Sequence, residues 1–590
     1  MSYPPDLSTP SISAERTAAR WEALRAKLTR LPMRWVILFS VVGLVVVAFL
    51  VRCLHLFDSN HYYILSPDSY FFHWVAQGIM AGQVPGHVPP TGLSYPLAYI
   101  AEAAQGVFGM SPPNALHLVS MFLAPVLSVI SMVLIYLFAA RICDRRVAFF
   151  SAFAWAFMLF PIALGSSGFL DRDSLSILLL TTGAFLFYLS DIWHFKIGGR
   201  DMGWLIVAIG VLVTEALLYV EWGVAGPALL LAVIVAYYVS RFLVEYLEYT
   251  ETEPGTVRGL GAAMRKINWH SFALILGITA LLAVANFHQT SSGFDALISA
   301  VKPKGGPIAE EGGLGLADLT SYQFFLIPMV LGFYVAWKRR AQSSIFFLSW
   351  FLILFVLAIG AKRVLVYATP AACLLSGVGL ALLWDWARRR SLHIWARRGP
   401  LHMWKKVAFA VLLCLTVGLA FSSAYSLAST VAMAPDREWQ GALAYLREET
   451  PKDSVVMSQW TWGYWILDLG QRRPLVDNGY YGYDSDRLRD VGLAYSTTDP
   501  AEAAQVMKKW GASYLIISRL DLNYATTIMG WANLGEGQDN FPPNSLAMRS
   551  LNGQFESGDA LQLVYRSVFH SQAVSEPEVV ILGLTPSESP

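Results

Sequence analysis

Apolar stretches of about twenty residues, the length a helix needs to cross a bilayer, recur from Trp35 through Phe421. They lie near 35–51, 116–139, 147–164, 174–191, 204–220, 224–243, 269–286, 322–337, 343–360, 364–385 and 405–424, about eleven spans by this length criterion. The chain is 55% hydrophobic and 14% charged, with a mean hydropathy of +0.47. A soluble protein carries roughly 25% charge, so this is an integral membrane protein. Basic residues test the count. Arg141, Arg145 and Arg146, then Lys196 and Arg200, then Arg258, Arg265 and Lys266, then Lys338–Arg340, and finally 388–406 all fall on one side. That side is shared with the basic N-terminal segment, and the positive-inside rule makes it cytoplasmic. An even number of spans would break the agreement; a hidden pair would not.

The layout that follows has a polar cytoplasmic segment at 1–34 and a transmembrane domain at 35–424. External loops fall at 52–115, 165–173 and 287–321, and an extracytoplasmic soluble domain at 425–590. The soluble domain reads as mixed α/β. Amphipathic helices are expected at 438–449 and 502–510, the second closed by Gly511. Short apolar strands are expected at 455–458, 514–518, 561–568 and 578–584, with 535–558 left as loop.

Several classes are excluded. The net charge is +1 and no basic run has nucleic-acid character, so no nucleic-acid partner is expected. Cys53, Cys143, Cys373 and Cys414 lie in or beside apolar segments without CxxC spacing, which fits neither a disulfide framework nor a zinc site. The N-terminus is too polar for a cleavable signal peptide. The glycine-rich stretch 312–319 follows no strand and precedes no Gly-Lys-Ser/Thr, so it reads as a mobile loop rather than a nucleotide cradle.

The expected external face collects the residues that could carry chemistry. Asp68 lies early in the first loop, Asp171 and Asp173 form an Asp-x-Asp at the mouth of a span, and Glu310 and Glu311 sit in the large late loop. Each alone reads as a solvated surface carboxylate. Together they are the oxygen ligands that Mg²⁺ or Mn²⁺ would draw from separated segments. Arg363 heads an apolar span, either snorkelling to the interface or clamping a phosphate with its planar guanidinium. Glu215, inside a span, should face the bundle rather than lipid. The soluble domain opens with Gln459-Trp460-Thr461-Trp462-Gly463 and continues to Val476-Asp477-Asn478. Aromatics on such a turn ordinarily pack a core.

The order of these pieces resembles the catalytic subunit of oligosaccharyltransferase, in its single-subunit bacterial and archaeal form. The resemblance rests on Asp68-Ser69-Tyr70, Asp171-Arg172-Asp173, Glu221-Trp222-Gly223, Pro307-Ile308-Ala309-Glu310, Arg363–Tyr367 and Trp460–Gly463, in that order along nearly the whole chain. It implies a polytopic α-helical membrane domain of the C-type glycosyltransferase kind, followed by a soluble α/β domain. The family commonly has about thirteen spans, with the shortfall here between Trp222 and Glu310. Where the family has Trp-Trp-Asp-Tyr-Gly, Thr461 stands in the Asp position. A family DxxK-type helix motif corresponds to Asp521 through Ile528, with Tyr524 in the Lys position.

The resemblance implies a glycosyltransferase that moves a glycan from a polyprenyl diphosphate to a protein acceptor, asparagine in Asn-x-Ser/Thr. Its partners would be a lipid-linked oligosaccharide, an acceptor polypeptide and membrane lipid, without further subunits. Asp68 and Glu310 would be catalytic, and Asp68, Asp171, Asp173 and Glu310 would hold Mn²⁺ or Mg²⁺, with Glu311 the substitute for its neighbour. Arg363 would bind the donor diphosphate, and Trp460, Thr461, Trp462, Gly463 and Ile528 the acceptor. The expected location is the plasma membrane of a prokaryote. Thr461 keeps open another C-type enzyme acting on a lipid, glycan or Ser/Thr acceptor. A transporter or flippase fits less well, because the acids cluster at one face and no internal repeat is visible.

Overall fold

The computed structural model describes residues 33–57, 64, 66–83, 92–192, 196–197, 200–201, 203–222, 225–252, 276–277, 322, 325–339, 341–388, 400–430, 435–478, 485–532, 540–558, 560–567 and 578–585. The expected span at 269–286 lies almost wholly outside them, and the loop at 287–321 entirely so.

The membrane part is a helical bundle. Among the described residues, six helices are long and apolar enough to cross a bilayer: Pro112–Ile142, Arg172–Leu189, Gly226–Leu247, Gln342–Gly360, Lys362–Arg388 and Trp404–Ser422. Leu38–Arg52 and Ile209–Val220 are shorter apolar helices. Phe39, Val213, Val356 and Leu415 stay exposed on outer faces, as side chains meeting lipid do. Leu326–Arg339 and Leu365–Arg388 cross at backbone contact. A Cβ on Gly332 would lie 1.8 Å from Leu375 O, and one on Gly379 1.8 Å from Pro328 O. Small residues allow that approach where lipid offers no hydrophobic drive between helices.

The expected span at 147–164 is two helices. Arg145–Phe157 ends at Met158, which is extended (ψ 143°), and Leu159–Leu164 follows. Pro161 cannot donate the N–H that would continue the ladder. The freed carbonyls meet a buried cation: Arg52 Nη2 donates to Trp155 O at 3.1 Å and Nη1 to Ala156 O at 3.4 Å. Arg52 also donates to Ser128 Oγ and Ala48 O and is 1% exposed. The reading that began an external loop at residue 52 therefore shifts, because Arg52 closes the Met33–Arg52 helix inside the protein.

The stretch 52–115 is largely helical. Pro67–Met80 and Ser94–Phe108 fill it, and Pro112–Ile142 begins before its expected end. Pro67 and Pro112 sit in the first turns of their helices, where the missing N–H costs nothing.

The soluble part holds a five-stranded sheet built from β1 (Val455–Met457), β2 (Arg473–Pro474), β3 (Ala512–Ser518), β4 (Leu561–Arg566) and β5 (Val579–Leu584), in the order β2-β1-β3-β5-β4. β1 runs parallel to β2 and β3, and β5 antiparallel to β3 and β4. Both faces are buried. Met457, Leu515, Ile517, Val580 and Leu582 pack with residues of the helices Ser485–Ser496, Pro500–Lys509 and Leu546–Leu551. Their alternates Val456, Ile516, Val579 and Ile581 pack with Trp439, Trp462, Trp465 and Tyr70. The Leu546–Leu551 helix, capped by Ser545 on Met548 N, corrects the reading of 535–558 as loop.

A candidate active site between the bundle and the sheet domain

Asp68, Asp171, Asp173 and Arg363 converge from three separated segments. Asp68 lies in the first turn of Pro67–Met80, and Asp173 in the first turn of Arg172–Ile192. Helix N-termini carry positive potential and favour carboxylates. Ser69 Oγ accepts from Leu170 N at 2.9 Å, which joins the two segments. The 165–170 turn is held from beneath: Ser167 N donates to Arg52 O, and Gly168 N and Ser167 Oγ donate to Met121 O.

Arg363 Nη2 lies 3.3 Å from Asp173 Oδ2 and 3.9 Å from Asp171 Oδ2. Tyr367 OH donates to Asp173 Oδ1 at 2.7 Å, so both oxygens of Asp173 are engaged from the Lys362–Arg388 span. Asp171 is less fully matched. Burial first, then the Asp173 carboxylate, pushes its carboxyl up to about 7, against the pull of Arg363; Asp68 adds to the rise. Asp171 and Asp173 share the Arg363 guanidinium, and Asp68 lies near enough to act on Asp171 electrostatically. Among the described residues, no three His, Cys, Asp or Glu side chains already form a ligand cluster, and Glu310 and Glu311 lie outside those residues.

The sheet domain closes over Asp68. Asn478 Nδ2 donates to Asp68 Oδ1 at 2.6 Å. Tyr70 meets Trp465 edge-on with centroids 6.4 Å apart, and Phe71 meets Tyr464 at 4.9 Å. Gly463 lies against the strand leading to Asn478: a Cβ there would stand 2.5 Å from Val476 O and Asp477 Cβ. The Trp460–Gly463 turn and the Asp68 contact are thus fixed relative to one another.

Within that turn the tryptophans differ. Trp462 is fully buried and donates from Nε1 to Asp521 Oδ1 at 2.6 Å. Asp521 Oδ2 accepts from Ser518 N at 2.7 Å, and burial pushes its carboxyl up to about 7 despite those donors. Ile528 is also fully buried. Trp460 is half-buried, 4.3 Å from Trp531 and 5.6 Å from Tyr524 between ring centroids. Gln459 is a residue that sequence reasoning passed over. Its Oε1 accepts from Thr461 N and its Nε2 donates to Thr461 Oγ1 at 2.7 Å. The Tyr524 hydroxyl also hydrogen-bonds Thr461.

Glu215 is fully buried in Gly203–Trp222, as expected of an acid within a span. Asp385 pairs with Arg146 at 2.6 Å. Tyr367 and Asp385 stand eighteen residues apart on one helix, about 27 Å at 1.5 Å per residue, close to the thickness of a bilayer's hydrocarbon core. The carboxylate cluster and the basic loops therefore occupy opposite ends of the bundle.

A mostly helical membrane bundle followed by a C-terminal sheet domain is the fold of the C-type membrane glycosyltransferases. An ArnT from Cupriavidus metallidurans, solved with undecaprenyl phosphate, superposes with a TM-score of 0.50 at 13% identity, covering 95% of this chain and 100% of that one.

The homologues of this chain are oligosaccharyltransferases. The apo Archaeoglobus fulgidus oligosaccharyltransferase matches with a TM-score of 0.68 at 15% identity, over 90% of this chain and 80% of that one. An Archaeoglobus fulgidus oligosaccharyltransferase, AglB, has been solved with an inhibitory peptide and a dolichol-phosphate (TM-score 0.67, 16% identity, 92% and 80% covered), and the apo enzyme's own structure with zinc and sulfate matches as well (0.63, 14%, 90% and 79%). By sequence, the chain is 26% identical over 242 residues to the dolichyl-diphosphooligosaccharide–protein glycosyltransferase subunit STT3B of Oryza sativa, covering 35% of this chain. It is 30% identical over 184 residues to dolichyl-phosphooligosaccharide-protein glycotransferase 1 of Pyrococcus furiosus, covering 30% of this chain. The matches span 32% and 18% of those relatives' own lengths. No family model matches the chain.

Proposed function

We propose that this protein transfers a glycan from a polyprenyl-linked phosphate or diphosphate donor to the asparagine of an acceptor polypeptide. The observation that supports the reading is the Asp171–Asp173–Arg363 cluster, joined to Asp68 through Ser69 and, through Asn478, to the segment packed on Gly463 of the Trp460–Gly463 turn. Relatives named for this reaction, and a neighbour solved with peptide and dolichol-phosphate, support it.

The reaction poses three physical problems. The leaving group is anionic, so developing charge must be neutralised in a water-poor site. Arg363, at the bundle surface and 29% exposed, is the cation for that task. The nucleophile is an amide nitrogen whose lone pair is delocalised, the resonance behind a rotation barrier of about 18–20 kcal/mol in peptides. Asp68, and Glu310 from the late loop, would accept the two amide N–H bonds and favour a twisted, more nucleophilic nitrogen. The acceptor must also be oriented. Trp460, with Tyr524 and Trp531, offers the aromatic surface beside Thr461, while Trp462, Gly463 and Ile528 brace that surface from behind.

The donor set is all carboxylate oxygen, which fits a hard divalent cation such as Mn²⁺ or Mg²⁺. The Asp171 carboxyl, raised first by burial and then by Asp173, is a group whose charged form a bound cation would favour. Asp68, Asp171 and Asp173 would hold the ion, joined by Glu310. When bound, the ion supplies charge neutralisation at the departing phosphate.

The site and sheet domain would face the extracytoplasmic side of a prokaryotic plasma membrane. The basic ends of the helices, including Arg141, Arg145 and Arg146, lie away from the acid cluster, as the positive-inside rule requires. The test is transfer of a lipid-linked glycan to an Asn-x-Thr peptide by purified protein. The reading predicts loss of transfer in Asp68→Ala and Arg363→Ala, and wild-type rates in both would defeat it. One observation favours a second reading: Thr461 is neutral and its hydroxyl is already engaged. Lipid and glycan acceptors run in parallel would reveal another C-type transferase.

A further inference from the structure

We propose that Asn478 is a positioning residue, through which the sheet domain sets the orientation of Asp68. This rests on the reading of Asp68 as part of the transfer site. Asn478 Nδ2 donates to Asp68 Oδ1 at 2.6 Å, across 410 residues of sequence. That bond engages one oxygen of Asp68, so the amide fixes the orientation in which the carboxylate is presented. A charge-assisted hydrogen bond is short, directional and about twice as strong as a neutral one.

Asn478 is itself held. Leu475 N donates to Val456 O at 2.8 Å, which anchors the segment to the sheet. Val476 and Asp477 pack beneath Gly463 with no room for a side chain there. The acceptor-side turn, Asn478 and Asp68 therefore form one rigid sequence of contacts. If the sheet domain shifts against the bundle, Asp68 loses its orientation and the turn loses its register together.

A second observation points to a ligand. Asn478 Oδ1 is buried and meets no hydrogen-bond donor among the described residues. Buried acceptors are nearly always paired, and an unpaired one next to a reactive carboxylate is a place for a ligand's donor. Asn478 Oδ1 and the Asp68 carboxylate that its amide meets are neighbouring acceptors. A carboxamide NH₂ carries two donors, so the chemical class that satisfies them is a primary amide, the side chain of an acceptor asparagine.

The experiment is steady-state transfer by full-length protein, with lipid-linked glycan and peptide each varied, for wild type, Asn478→Ala, Asn478→Asp and Asp68→Ala. Thermal unfolding in detergent reports folding, and Asn478→Asp, of the same size, serves should Asn478→Ala fail to fold. A misoriented catalytic group costs up to about 100-fold. The expected result is a kcat lower by about 10- to 100-fold in both Asn478 variants, with the KM for the lipid donor within about twofold of wild type. A peptide acceptor carrying glutamine in place of asparagine, whose amide is displaced by one methylene, should lose its disadvantage relative to asparagine in Asn478→Ala. Wild-type kcat in folded Asn478 variants, with Asp68→Ala inactive, overturns the role of Asn478 and leaves the site intact. A rise confined to the donor KM also overturns it. Wild-type activity in Asp68→Ala would instead defeat the reading of the site.

Discussion

His73 Nδ1 lies 3.1 and 3.2 Å from the two carboxylate oxygens of Asp468, joining the Pro67–Met80 helix to the Gly463–Asp468 helix of the sheet domain. Their side chains are 10% and 1% exposed. His73 sits on the same helix as Asp68, with Tyr70 and Phe71 packed on Trp465 and Tyr464 between them. It is a clamp on the interface that shapes the site.

Breaking a buried pair from one side leaves an uncompensated group and costs about 3–5 kcal/mol. His73→Ala should therefore lower the unfolding temperature of the protein and expose residues 435–478 to protease. Asp468→Asn retains a hydrogen-bond acceptor and should lose less. The His73→Ala/Asp468→Ala double variant should recover part of the single loss, because no carboxylate is left buried alone. Additive losses in the melting temperatures would refute the coupling.

The Asp521 carboxyl gives a pH signature. Burial pushes it in the folded state from the ordinary carboxylate value of 3.8 up to about 7. Between those values the folded state holds a proton that the unfolded state has released. Stability from this group therefore falls as pH rises from about 4 to 7 and levels off above. At about 1.4 kcal/mol per unit, the swing is on the order of 4 kcal/mol. Asp521→Asn abolishes it. The stability difference between wild type and Asp521→Asn should thus move against wild type between pH 5 and 7.5, measured by denaturant midpoints. A pH-independent difference would show that the group stays ionised throughout.

Much of this architecture was legible because its signals are strong in sequence. Each apolar run among the described residues is helical, and the strands at 455–458, 514–518 and 578–584 appear within a residue or two. The meeting of Asp68, Asp171, Asp173 and Arg363 followed from motif order and from their shared end of the bundle. What escaped depends on pairs that no local pattern carries. Arg52 reads as a loop cation until the carbonyls freed at Met158 are known, although Pro161 marks the break. Pro67 and Pro112 read as punctuation but start helices. Asn478, Gln459 and the His73–Asp468 pair are polar residues whose partners come from tertiary contact alone.

Tyr367 and Arg363 divide Asp173 between them. Tyr367→Phe keeps the ring packing and frees Asp173 Oδ1. Because a small displacement of a carboxylate can cost up to about 100-fold, transfer should fall by about tenfold with unfolding temperature nearly unchanged. Arg363→Lys should not rescue Arg363→Ala, because an ammonium cannot reproduce the planar fork that reaches carboxylate and phosphate together. Turnover in the three variants checks both expectations, and full activity in Arg363→Lys would mean that charge alone suffices.

Thr461 governs the last prediction, which concerns acceptor choice. Its hydroxyl is engaged by Gln459 Nε2 and Tyr524, so little of it remains for an acceptor hydroxyl two residues beyond the asparagine. Wild type should therefore discriminate weakly between Asn-x-Thr and Asn-x-Ala peptides. In Thr461→Asp, the Gln459 and Tyr524 donors can satisfy one oxygen and leave the other for the acceptor. A hydrogen bond to a charged group contributes about 1.5–3 kcal/mol, which corresponds to roughly 10- to 100-fold. The ratio of kcat/KM for the two peptides should rise by at least tenfold in Thr461→Asp. Gln459→Ala should lower transfer to both peptides alike, because it loosens the turn without adding an acceptor for the hydroxyl. An unchanged ratio in folded Thr461→Asp would mean that the acceptor residue is read elsewhere on the Trp460 surface.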